Sequence, residues 1–189
     1  VSELQLRAVI ADDVGLGKTI EALTAIWKHH SDKRVLVVAP ANVIYKWERE
    51  ILDPTRRFPW SGEWSAQVLS PTKSQLIPKQ FTIISYDLMR RRVDELKAQK
   101  YEALIADEIH YAKSYRALRT KALEKLAEKI PYIIGLTGTP LLNDRPIEMW
   151  SWLHMVNPTG WPSLWGSTGY GDRYCGGRTQ YATFLGATR

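Results

Sequence analysis

Near the start of the chain, Asp12, Asp13, Val14, Gly15, Leu16, Gly17, Lys18 and Thr19 combine two glycines, a lysine and a hydroxyl at a spacing suited to phosphate chemistry. Gly15 and Gly17 let the backbone approach an anion closely enough for amide hydrogens to cradle its oxygens. Lys18 then reaches the terminal phosphates of a nucleoside triphosphate, and the Thr19 hydroxyl takes a Mg²⁺ position. Asp12 stands where the usual pattern has its first glycine. The bland alternative is a chance glycine turn. Against it, an apolar run precedes the loop and a helical pattern follows, and a helix N-terminus favours an anion.

A second element is "ALIADEIH", an apolar run that ends in two acids. Asp107 at the end of such a strand can hold Mg²⁺ through water, and Glu108 can orient and deprotonate an attacking water. Solvated acids at a strand end are the ordinary reading of this pair, and the loop upstream tips the balance. A third element, "GLTGTPLLND", empties a strand into Thr137, Gly138 and Thr139 ahead of Pro140. It reads either as a generic turn or as hydroxyls that sense a nearby phosphate and report it to another surface.

These residues need a scaffold that gathers strand ends. Continuous apolar runs at Arg7–Ala11, Arg34–Ala39, Phe81–Ser85, Ala103–Asp107 and Tyr132–Leu136 read as strands buried on both faces, as in a parallel sheet. Helical patterns lie between them: "KTIEALTAIWKHH", "DLMRRRVDELKAQK", and "YRALRTKALEKLAEKI" with Leu118, Ala122, Leu126 and Ile130 along one face. The alternation predicts a three-layer α/β domain with a central, mostly parallel sheet and ligands at the carboxyl ends of its strands. "DPTRRFPWSGEWS", rich in Pro, Trp and Arg, reads as a loop or insertion. After Asn157 the chain turns glycine- and aromatic-rich. That tail, 157–189, is expected to be irregular, either packed on the main domain or partly disordered.

The chain has 189 residues, enough for one sizeable core and too few for two full α/β lobes. Its net charge of +6 points mildly to a polyanionic partner. A lone cysteine, Cys175, excludes an intrachain disulfide and fits a reducing compartment. The four histidines have neither HExxH spacing nor cysteine partners, which disfavours a structural zinc site. No run approaches the length of a membrane span, and "VSELQLR" is not laid out as a signal peptide. An intracellular protein is expected, cytoplasmic in a bacterium or phage, nuclear in a eukaryote.

The ordered set "DDVGLGKT", "VLVVAPANVIYKWERE", "TIISYDLM", "ADEIHYAKS" and "GLTGTPLLND" resembles the first RecA-like lobe of a superfamily-two helicase. More narrowly it is similar to the Swi/Snf-type family of ATP-dependent double-stranded DNA translocases, whose loop carries an acidic pair ahead of GLGKT. The stretches "RPIEMWSWLHMVNP" and "DRYC" are most similar to the annealing-helicase branch. The resemblance implies a RecA-like P-loop lobe over residues 1–156 that binds ATP with Mg²⁺. Lys18, Asp107 and Glu108 would be its catalytic residues, and Thr19 with Asp107 its metal ligands. It implies that His110 couples the nucleotide site to Thr137, Gly138 and Thr139. Asn42, Lys46 and Ser85 would contact the DNA backbone. Trp47, at helical spacing from Ile44 and Ile51, reads as core in preference to a base-stacking platform.

Only six residues precede Arg7, whereas the family carries an adenine-gripping segment upstream and a second RecA-like lobe downstream. The chain is therefore expected to be a fragment. Without the arginine fingers, worth about 10³ to 10⁵ in turnover in comparable systems, it should be nearly inert. Two other readings remain, the motor lobe of a restriction or phage DExH helicase and a non-catalytic DNA- or protein-binding module. The intact Lys18, Asp107 and Glu108 weigh against the module.

Overall fold

The computed structural model describes residues 6–56, 58–60, 62–72, 75–141 and 145–176. Among these, six strands form one sheet: β1 (Arg7–Ile10), β2 (Val35–Ala39), β3 (Ala66–Leu69), β4 (Phe81–Ser85), β5 (Ala103–Asp107) and β6 (Tyr132–Leu136). The order is β1-β6-β5-β2-β4-β3, and every pairing is parallel. Apolar side chains alternate between two cores, as a period of two residues requires. Leu36, Val38, Leu104, Ala106 and Ile133 enter one. Val35, Val37, Ala103, Ile105, Ile134 and Leu136 enter the other. Both faces are covered, so the runs show no polar alternation.

α1 (Lys18–His30) and α2 (Ile44–Leu52) cover the second core. The insertion helps: Phe58, Trp60 and Trp64 stack in sequence onto Phe81 of β4, with ring centroids 4.8 to 5.1 Å apart. α3 (Tyr86–Arg91), α4 (Val93–Ala98), α5 (Leu118–Ala127) and α6 (Trp150–Val156) cover the first core. At the free edge of the sheet, the Arg7 guanidinium donates to the carbonyls of Ala127, Ile130, Pro131 and Met155 at 2.8 to 3.3 Å. Four acceptors from the ends of α5 and α6 thus pin the start of β1, the strand that leads into the glycine loop.

Three elements differ from their sequence expectation. β3 directly follows the stretch 53–65 read as a loop or insertion, where the sequence expectation marks no strand. Its polar member Gln67 is buried, donating to Ile77 O at 2.6 Å and Thr82 Oγ1 at 3.0 Å while accepting from Ile77 N, so an amide in the apolar run masked an edge strand. The single helical pattern after β4 is two short helices, because Arg92 leaves helical geometry at φ −120°, ψ 19°. On α5 the buried stripe is Ala122, Leu123, Leu126 and Ala127, continued by Ile130. Leu118, at the first turn, is 65% exposed.

Downstream of Asn157, Leu164 and Tyr170 are buried against Ile147, and a short helix, α7, spans Tyr170–Tyr174. The Tyr170 hydroxyl donates to Pro146 O at 2.9 Å. Residues 177–189 lie outside the described residues. No helix among the described residues is long and apolar enough to cross a membrane.

Candidate nucleotide site

β1 and β5 are both neighbours of β6 in the sheet, so the segments leaving their carboxyl ends flank the one leaving β6. The glycine loop follows β1, Asp107 and Glu108 follow along β5, and Thr137–Thr139 follows β6. Lys18, Thr19, Asp107, Glu108 and His110 line one cleft of about 540 Å³.

Gly15 and Gly17 both have φ near +92°, with no atom within 4 Å of where a Cβ would stand. The backbone conformation demands glycine there, and crowding does not. Gly17 caps α1 without any side-chain hydrogen bond to the first turn. Lys18 Nζ folds back to donate to Asp12 O at 2.7 Å and Asp13 O at 2.8 Å. The acidic pair holds this lysine through main-chain carbonyls, while both aspartates and Val14 and Leu16 are exposed. Gly138 sits against the loop. A Cβ built there meets Val14 Cγ2 at 2.7 Å and Lys18 Nζ at 3.5 Å.

Asp107 is held from two directions. The indole N–H of Trp47 donates to its Oδ2 at 2.8 Å, and the Tyr86 hydroxyl donates to its main-chain carbonyl at 2.8 Å. Burial pushes the Asp107 carboxyl above the usual range, the Trp47 bond opposes that, and the adjacent Glu108 charge adds to it. Glu108 adopts φ 50°, ψ 54°, a left-handed conformation uncommon for a residue with a side chain. A short 3₁₀ turn, Ile109–Ala112, follows, and Glu108 O accepts from Tyr111 N at 2.8 Å.

His110 bridges the acids to the third element. Its Nδ1 lies 2.9 Å from Thr137 Oγ1 and 3.5 Å from Thr139 Oγ1, while Thr139 N donates to Thr137 Oγ1 at 3.1 Å. The same Nδ1 is 3.1 Å from Glu108 Oε2, an ion-pair distance without hydrogen-bond alignment. Burial lowers the imidazole's affinity for a proton, against the pull of Glu108. The contact is therefore dipolar when the ring is neutral.

Of the three expected DNA contacts, Asn42 and Lys46 line the same cleft as Lys18 and Asp107, and the Lys46 charge is close enough to act on the Asp107 carboxyl. Ser85 is absent from the cleft lining. Its hydroxyl caps α3 by accepting from Leu88 N at 3.3 Å. Sequence reasoning missed the Trp47 bond and the Tyr86 bond, which join residues 60 and 21 apart. No local pattern encodes such pairings. Among the described residues, no group of three or more His, Cys, Asp or Glu could hold a metal by itself.

The family model described as SNF2-related domain matches residues 3–166. The chain belongs to that family. This SNF2-related domain is 32% identical over 174 residues to the SWI/SNF-related matrix-associated actin-dependent regulator of chromatin subfamily A-like protein 1 of Bos taurus, covering 92% of this chain and 18% of that protein. It is 30% identical over 184 residues to the DNA annealing helicase and endonuclease ZRANB3 of Homo sapiens, covering 93% and 16% respectively. The chain thus spans less than a fifth of either relative. Its fold is shared with the Sulfolobus solfataricus SWI2/SNF2 ATPase core in complex with dsDNA, at a TM-score of 0.72 and 24% identity, over 97% of this chain and 38% of that one. That likeness shows a shared fold, an all-parallel sheet covered by helices on both faces.

Proposed function

We propose that this domain binds ATP with Mg²⁺ in the cleft and is the first lobe of a motor whose hydrolysis drives movement along duplex DNA. The observation that carries the reading is the meeting of Lys18 with Asp107 and Glu108 in one cleft, from strands on either side of β6. The donors suit the ion, because Thr19 and Asp107 offer hard oxygens of the kind Mg²⁺ takes beside phosphate oxygens and water. When bound, the ion neutralises charge that develops on the transferring phosphoryl group. Lys18 leaves the Asp12 and Asp13 carbonyls to meet the terminal phosphates. Glu108 orients and deprotonates the attacking water, and His110 relays phosphate occupancy to Thr137 and Thr139. A second RecA-like lobe would close on this face and supply arginine fingers, and an intracellular, DNA-containing compartment follows from the substrate. Names of relatives that include SWI/SNF, annealing helicase and dsDNA support the track being duplex DNA.

Titration with a fluorescent ATP analogue tests the nucleotide half. Binding should be strengthened by Mg²⁺ and lost in Lys18→Ala, and wild-type affinity in that variant would sink it. Duplex DNA should bind with a log–log salt slope of roughly −2 to −4, as contact with about two to four phosphates requires, and with little sequence preference. Binding indifferent to salt would point to a sequence-reading module.

A further inference from the structure

The spacing of Ile44, Trp47 and Ile51 marks the buried face of α2, and Trp47 is 1% exposed. Hydrophobicity accounts for burial of the ring, yet the indole N–H, its one polar group, does not lie in hydrocarbon. It donates to Asp107 Oδ2 at 2.8 Å, across 60 residues. We propose that Trp47 is a positioning residue for the nucleotide-bound metal: its indole fixes the Asp107 carboxylate in the orientation that serves Mg²⁺. The inference rests on the reading of Asp107 as a metal-serving carboxylate.

An aspartate carboxylate rotates broadly about its last torsion, so a strand end alone does not orient it. Here the main chain is anchored by the Tyr86 hydroxyl on the carbonyl, and the side chain by Trp47 on Oδ2. A carboxylate offers about four acceptor positions, so the Trp47 indole leaves room for metal-bound water. Partners of this kind, one layer out from the ion, are worth about 10- to 100-fold in metal affinity where they have been removed. Trp47 also ties the cleft to α2, which carries Lys46 on the same stretch. A displacement of α2 would therefore be felt at Asp107 directly.

Trp47→Phe keeps an aromatic ring in the core and deletes the donor. Affinity for the ATP analogue is measured with EDTA and across a Mg²⁺ titration, on the full protein that carries this domain, beside its melting temperature. The expected result is nucleotide affinity in EDTA within about twofold of wild type, with the Mg²⁺ concentration for half-maximal enhancement raised about 10- to 100-fold. A purely structural tryptophan would lower the melting temperature and both affinities together. Wild-type Mg²⁺ dependence in a folded Trp47→Phe protein overturns the inference and leaves the reading of the site intact. Wild-type protein with no Mg²⁺ dependence overturns both. Should Trp47→Phe fail to fold, ¹⁵N-indole spectra of the same wild-type protein decide the matter. One indole signal should move in Asp107→Asn and on adding Mg²⁺ with nucleotide, and stay put with nucleotide in EDTA. Indole signals that all stay unresponsive overturn the inference.

Discussion

Two glycines three residues apart should respond to the same substitution in opposite ways. Gly135 lies inside β6, and a Cβ there meets Ile109 Cδ1 at 2.7 Å, Val9 Cγ2 at 3.2 Å and Ile109 Cγ2 at 3.3 Å. Carbon atoms pack best at about 3.5–4.0 Å, so the new methyl must displace Ile109, a fully buried residue, by close to 1 Å. Overpacking of this kind costs about 1–3 kcal/mol. In a domain of this size, each 1 kcal/mol lowers the melting temperature by about 2–4 °C. Gly138→Ala also makes a 2.7 Å contact, but with Val14, which is 79% exposed and free to move outwards. Its stability cost should stay below about 1 kcal/mol, since the displaced side chain borders solvent. What moves instead is the nucleotide loop beside Lys18. A loss of about 1.4 kcal/mol there is a tenfold weaker nucleotide affinity. Thermal melting and ATP-analogue titration of both variants separate the cases, and Val14→Ala added to Gly138→Ala should restore most of the affinity, because the two residues couple directly. Nucleotide binding by Gly138→Ala at wild-type strength, or no rescue by Val14→Ala, would refute the argument that this contact sets the loop.

Thr137→Val should destabilise the domain by about 1–2 kcal/mol in urea, because the fully buried hydroxyl serves both His110 Nδ1 and Thr139 N, and its loss leaves polar partners unsatisfied. An unchanged unfolding midpoint would exclude that role. Lys46→Ala should flatten the salt dependence of duplex binding by about 0.9 and leave nucleotide affinity in EDTA unchanged. The opposite pattern would assign Lys46 to the nucleotide, a reassignment its place in the cleft makes testable. Glu95 accepts two hydrogen bonds from Arg92, at 2.6 and 2.7 Å, and these bonds hold its carboxyl below the usual glutamate range. A lowered carboxyl stabilises the fold above its unfolded-state value and ceases to do so as pH falls through the folded one. The wild-type advantage over Glu95→Gln should therefore be present at neutral pH, below about 1 kcal/mol for so exposed a pair, and vanish in acid. An advantage that grows in acid would reverse the sign.

Local rules carried much of this protein. Five of the six strands were legible as unbroken apolar runs, because strands buried on both faces can carry only one kind of side chain. The glycine loop was legible because left-handed backbone restricts residue choice at Gly15 and Gly17, and restriction leaves a signature in the text. The places of Lys18, Asp107, Glu108 and Thr137–Thr139, at a helix start or at strand ends, were legible because each adjoins an apolar run or a helical pattern. The edge strand β3 was not, because its buried Gln67 takes its partners from Ile77 and Thr82, which local pattern does not reveal.

Tertiary structure alone decided which strand ends meet. The order β1-β6-β5 brings a loop at residue 15 beside acids at residue 107. It also gave four residues surroundings that their spacing does not show. Trp47 is core by spacing, yet its one polar atom is spent on Asp107, since a buried N–H must find an acceptor. Lys46 and Asn42 sit in the cleft, and the Ser85 hydroxyl is taken by a helix cap. Sequence determined which residue types stand at the ends of the strands. Pairings across 60 residues depend on how those ends are folded together, and free energy of that kind is set by three-dimensional packing and not by spacing along the chain.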